Sequence, residues 1–193
     1  ASPGAAAVSG VQSLSLWFYA RSITVANRPQ MFNLGLAGYP YTGQCLLGFN
    51  IIGVGPTVGT SRLCFIDYNS ALGGVSGSYT TESFGTRLNE WIHVVGQWDG
   101  TIWRTWIDGT EDTNAQGTQD APVAQPTGVM TIGSVATARY FDGLIDSVLL
   151  YDRVLTSAEI TLLAASRNSF AAVAGGNPVG ILQNNIQSMR LGI

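Results

Sequence analysis

The chain contains no lysine; all nine of its basic residues are arginine. It has one histidine and two cysteines, and charged residues of either sign make up only 11% of its 193 positions. Each scarcity excludes something. A net charge of −3 without a basic stripe argues against a nucleic-acid surface. A nucleophilic relay needs a histidine, and His93 lies mid-strand between Ile92 and Val94, where a packing role fits better than a catalytic one. One histidine and two distant cysteines lack the ligand spacing of a zinc site. No apolar run reaches the roughly 18 residues of a membrane span. Asn-x-Ser/Thr acceptors are absent. The missing lysine is read as compositional bias, with a preference for arginine pairing as the lesser alternative. Ala1-Ser2-Pro3-Gly4 has no charged n-region and no long apolar h-region. It reads as a native start from which Met was trimmed, or as the start of a processed secretory chain.

What is plentiful is glycine and aromatic residues, a balance that favours a sandwich with many tight turns. A single domain of this length buries roughly 70% of its unfolded surface, enough for a core without staples. Asp99-Gly100 and Asp108-Gly109 bracket a strand from Ile102 to Ile107, and both are hairpin signals. Residues 33–83 read as short strands and rim loops, and residues 110–127 as a polar loop. Phe141 to Tyr151 alternates as a strand. Phe141, Gly143, Ile145, Ser147, Leu149 and Tyr151 are expected on one face, with Leu144, Val148 and Leu150 on the other. Thr156 and Glu159 then form a capping box that opens a short helix over residues 157–165. Cys45 and Cys64 each sit in an apolar run. Two buried thiols are the favoured reading, and one cross-strand disulfide the alternative.

The strand-into-capped-helix order of residues 141–160 resembles the C-terminal signature of laminin-G-like, concanavalin-A-like jelly rolls. Leu14 to Ala20 resembles that family's opening strand, and Trp91 to Gly100 its central strand and turn. Trp106-Ile107-Asp108-Gly109 resembles the hairpin that follows, and Met130-Thr131-Ile132-Gly133 the next strand. The resemblance implies an all-β jelly-roll sandwich with one short C-terminal helix and extended terminal arms. The expected division is an arm over residues 1–11, the domain over 12–165 and a second arm over 166–193. That last arm carries Phe170, Ile181, Leu182, Ile186, Met189, Leu191 and Ile193. Burying such side chains is worth roughly 1.5–3 kcal/mol each at best, so the arm wants shelter. Its own sandwich and a neighbouring subunit both offer it.

Fold does not imply function. Paired carboxylates of the glycosidase kind are not evident: Glu82 and Glu90 flank turns, and Glu111-Asp112 follows a hairpin glycine. A non-enzymatic role is therefore expected, and two classes compete. The first is a virion protein, a bacteriophage capsid decoration or cement protein docked on neighbouring subunits through its arms. The second is a carbohydrate-binding, lectin-like module, secreted or on a cell surface. The resemblance also implies a structural Ca²⁺ near the rim, with Asp146 in the place of a family ligand. No other cofactor is expected. For carbohydrate, the aromatic residues in or near predicted loops are the candidates: Tyr39, Tyr41, Trp103 and Tyr140. Trp17, Trp91, Trp98 and Trp106 fall inside strand motifs and are expected in the core.

Overall fold

Alternation in Leu14-Ser15-Leu16-Trp17-Phe18-Tyr19-Ala20 sets the frame of the sandwich. In a strand, successive side chains point to opposite faces. Leu14, Leu16, Phe18 and Ala20 are completely buried between two sheets, and the residues between them face outward. The computed structural model describes residues 11–24, 28–35, 44–49, 61–69, 74–116, 119, 129–134, 139–166 and 180–182.

These residues form twelve strands, one α-helix and a short 3-10 turn at Phe84–Thr86. The strands are β1 (Ser13–Ala20), β2 (Gln30–Gly35), β3 (Gln44–Phe49), β4 (Arg62–Asn69), β5 (Gly74–Ser83) and β6 (Trp91–Trp98). After them come β7 (Trp103–Ile107), β8 (Thr110–Glu111), β9 (Asn114–Gln116), β10 (Val129–Ile132), β11 (Gly143–Tyr151) and β12 (Gly180–Leu182). Helix α1 (Ser157–Ala165) follows β11. Sheet A runs β12-β11-β1-β6-β7-β8 and sheet B runs β10-β2-β3-β4-β5-β9. Every neighbouring pair is antiparallel. The expected all-β jelly-roll sandwich with one short helix is the observed fold. Among the described residues no helix is long and apolar enough to cross a membrane.

The core is aromatic at one end. Phe18 meets Phe49 and Phe84 edge-on, at 5.7 and 5.8 Å between centroids. Further along, Phe65 of sheet B reaches across to Gly96 of sheet A. A Cβ added at Gly96 would sit 2.3 Å from the Phe65 ring, so the absent side chain makes room for the aromatic. The core also holds a hydroxyl pair, Ser78 Oγ with Thr105 Oγ1, linking the two sheets. Both residues are fully buried.

The hairpin and helix signals are realised. Asp108 and Gly109 both take positive φ, 49° and 83°, in the two-residue turn between β7 and β8. Thr156 accepts from the Glu159 amide, and Glu159 reaches back to the Thr156 amide.

Three expectations need correction. The first concerns the faces of β11. Leu149 and Tyr151 do not share a face with Ile145. Ile145 packs on the inter-sheet core with Val148 and Leu150, whereas Leu149 and Tyr151 face α1. A β-bulge causes this: Ser15 pairs with Leu149 and Trp17 with Asp146, so β11 spends three residues where β1 spends two. Ser147 takes a φ of 51° within it. The second concerns residues 110–127, which are not wholly loop, because β8 and β9 lie within them. Asp112, between these strands, accepts from the amides of Thr81 and Glu82 and steers the chain from sheet A to sheet B. The third is the disulfide alternative. Cys45 pairs with Asp67 and Cys64 with Gly48, three positions apart along β3 and β4. Three positions along a strand separate the two backbones by about 10 Å, too far to bridge. Cys64 is buried, with Sγ 4.0 Å from the Arg62 carbonyl.

Part of the C-terminal arm returns to its own sheet: Gly180, Ile181 and Leu182 pair with Leu150, Leu149 and Val148 as an edge strand. Phe170, Ile186, Met189, Leu191 and Ile193 lie outside the described residues, as do Tyr39 and Tyr41.

Candidate functional site

Helix α1 covers only part of the outer face of sheet A. Ile160, Leu163 and Leu155 pack on Val95, Leu149 and Tyr151, with Trp106 alongside. Gln97 fixes that placement. Its Oε1 accepts from the Leu155 amide at 3.1 Å, and its Nε2 donates to the Leu155 carbonyl at 3.3 Å. Ser13 Oγ adds a hydrogen bond to the Arg153 carbonyl at 2.7 Å. The start of the helix is thus held over the rows of Ser13, Gln97 and Tyr151, and its later turn passes Gly109, where an added Cβ would lie 3.3 Å from Ala164. On the β1 side, the face runs on past the cluster under the helix to the end that holds Trp17 and Tyr19.

That end carries aromatic rings in two adjacent rows. In one row Trp17 of β1 lies beside His93 of β6, ring centroids 5.2 Å apart. In the next, Tyr19 lies beside Trp91 at 5.7 Å. Trp17, Tyr19 and Trp91 are all half-buried and point outward. On β11, Asp146 stands opposite Trp17 and Leu144 opposite Tyr19. Just beyond β1, Arg21 pairs with Asp142 at 3.0 Å, and Ser22 donates to the same carboxylate at 2.8 Å. The Ser22 hydrogen bond, with help from Arg21, holds the Asp142 carboxyl below its usual range despite partial burial.

His93 is the floor of this platform. It is fully buried, its Nε2 lies 2.9 Å from Ser15 Oγ, and its Nδ1 has no hydrogen-bond partner among the described residues. Burial pushes its pKa down to about 4, against a smaller opposing effect of Asp108. Its backbone amide donates to Asp108 Oδ1 at 2.9 Å. The other oxygen of Asp108 accepts from Arg87, which also pairs with Glu82 and Glu90. Burial works against the Arg87 charge, but hydrogen bonds to Asp108 and Glu90 outweigh it and raise its pKa.

The structure separates the candidates that the sequence suggested. Trp103 is not a binding residue: it is 2% exposed, inside the sandwich against Phe65 and Trp98. Trp98 is in the core as expected, but Trp17 and Trp91 are not. The signal that separates them was present in the phase of alternation. Leu16 and Phe18 point inward, so Trp17 and Tyr19 must point outward. Ile92 and Val94 place Trp91 outward by the same logic, and Thr105 and Ile107 take Trp103 inward. Tyr140 is 60% exposed near the rim, beside Arg139, whose carbonyl accepts from the Gln30 amide. Asp146 turns Oδ1 to its own bulge, accepting from the amide and hydroxyl of Ser147 at 2.7 and 3.3 Å. Among the described residues no group of three or more His, Cys, Asp or Glu side chains is placed to hold a metal ion.

A two-sheet antiparallel sandwich with a capped helix packed on one sheet is a concanavalin A-like jelly roll. The chain belongs to the concanavalin A-like lectin/glucanases superfamily, whose family model matches residues 3–161. No curated protein sequence matches it. Similar solved structures include domain 4 of AbnA, an extracellular arabinanase from Geobacillus stearothermophilus, in complex with arabinotriose. It is 18% identical with a TM-score of 0.60, covering 84% of this chain and 70% of that one. The CBM40 domain of the Ruminococcus gnavus IT-sialidase is 10% identical with a TM-score of 0.58, over 82% of this chain and 85% of that one. The SAP-like pentraxin of Limulus polyphemus is 13% identical with a TM-score of 0.53, over 81% and 70%.

Proposed function

We propose that this domain is a non-catalytic carbohydrate-binding module that seats sugar rings on Trp17, Tyr19 and Trp91. The observation that carries the reading is the outward placement of these three partly exposed rings in adjacent rows, outside the cluster that packs on α1. A partly exposed aromatic cluster with a few polar groups at its rim is a candidate ligand-binding surface. Trp and Tyr suit such a role, because each offers an apolar ring with a polar handle at its edge. Polar groups near Tyr19, such as Arg21, Ser22 and Asp142, stand ready to meet hydroxyls at the rim. The arabinanase domain solved with arabinotriose and the sialidase CBM40 domain support the same reading, and with it an extracellular location.

The virion reading has less support. It rested on an apolar arm in need of a neighbour, and Gly180–Leu182 finds its pairing partner in β11 of the same chain. The deciding experiment is electrophoresis through native gels containing neutral polysaccharides. Retardation by at least one polymer, lost in Trp17→Ala and Trp91→Ala, supports the proposal. Retardation that both variants retain in full overturns the assignment to this face.

A further inference from the structure

Among the described residues, the charge left uncompensated around the aromatic platform is negative. Asp146 faces Trp17 from β11. Its carboxylate accepts from Ser147, and among the described residues no arginine forms an ion pair with it. On the other side, Asp108 touches the His93 backbone, and Glu90 directly precedes Trp91. Asp108, Glu90 and Glu82 share the single guanidinium of Arg87, so that cluster keeps two net negative charges. At the rim, the charge of Arg21 is matched by Asp142. His93, between Trp17 and the Asp108 cluster, is neutral at ordinary pH and supplies no cation.

Resting on the glycan reading above, we infer that the platform selects uncharged glycans and rejects carboxylated ones, with Asp146 a specificity-determining residue. A neutral sugar ring stacks on Trp17 without meeting a charge. A uronic or sialic carboxylate placed on that ring would lie beside Asp146, and the described arginines near the platform, Arg21 and Arg87, are already paired with carboxylates. Two like charges a few ångströms apart at a protein surface repel by about 1 kcal/mol or more, roughly a fivefold or greater loss in affinity. Building repulsion against the wrong ligand is an ordinary route to specificity.

The test uses paired polymers in native affinity gels at low salt: hydroxyethylcellulose with carboxymethylcellulose, and galactan with polygalacturonate. The wild-type chain should be retarded by a neutral member and at least about fivefold less by its acidic partner. Asp146→Asn keeps an amide oxygen for the Ser147 bulge and removes the charge. It should narrow the gap between partners by raising retardation by the acidic member. Equal retardation of wild type by both members, abolished by Trp17→Ala, would leave the glycan reading standing and overturn the selectivity. A gap that persists unchanged in Asp146→Asn overturns the role of Asp146. Absence of retardation by every polymer overturns the glycan reading and the selectivity together.

Discussion

Trp17 lies against His93 across the β1–β6 pair, ring centroids 5.2 Å apart and planes tilted by 46°. The pairing joins an exposed surface to a buried titratable group. Trp17 is the half-exposed ring that a ligand would touch, and His93 is the fully buried ring that supports it. Changes to either should be read separately through binding and through stability.

The tryptophans should divide into two classes. Trp103→Ala removes a ring packed on Phe65 and Trp98, and is expected to cost about 3–5 kcal/mol in urea denaturation. Trp17→Ala and Trp91→Ala remove half-exposed rings and should cost less than half of that. Their effect should appear as at least a roughly tenfold loss of polysaccharide retention, about 1.4 kcal/mol. A Trp103→Ala protein that stays as stable as wild type would show that this ring is not in the core.

His93 should make stability fall in mild acid. The folded state holds the ring neutral down to about 4, while the unfolded chain protonates it near 6.5. Between these values the unfolded state binds the extra proton, so stability is complete above 6.5 and is lost as pH drops toward 4. The total loss is roughly 3 kcal/mol at most, from about 1.4 kcal/mol per pKa unit. Denaturation at pH 7 and at pH 5 should show the decline in wild type and a much flatter response in His93→Gln. A wild type equally stable at both pH values would mean that the ring is not held neutral by burial.

Gly96 and Phe65 should be energetically coupled. Gly96→Ala forces a methyl group into the Phe65 ring and should destabilise by about 1–3 kcal/mol. In a Phe65→Leu background the same substitution should cost markedly less. A double-mutant cycle with coupling near zero would contradict the close approach.

The start of α1 should respond to acid in a different range. The Arg153 hydrogen bond, helped by the Thr156 amide and hydroxyl and opposed by partial burial, lowers the Glu159 pKa to about 2. Its contribution is present above the unfolded value near 4.5 and is lost as pH falls toward 2. Thr156→Ala should cost about 1 kcal/mol through the lost cap. Glu159→Gln should make the decline between pH 4.5 and 2 shallower. Stability that declines in that range as steeply in the variant as in wild type would assign the decline to other carboxylates.

The pattern of residues determined a good deal here. Alternation and the Asp-Gly pairs determined the strands around β7, and the Thr156–Glu159 spacing determined where α1 begins. The order of these blocks determined the jelly roll. Local rules carry that much because period, turn chemistry and capping act over a few residues. Contacts far apart in the chain decided the rest. The bulge at Asp146 and Ser147 exchanges the faces of β11, and only its register against β1 reveals this. The Gln97 hold on Leu155 decides which part of sheet A α1 covers, and so which aromatic rings stay open. Alternation puts Trp17 on the strand face opposite Leu16 and Phe18, and Trp103 on the face of Thr105 and Ile107. One faces solvent and the other the core because a strand has two sides, and packing of the second sheet and the helix chooses between them.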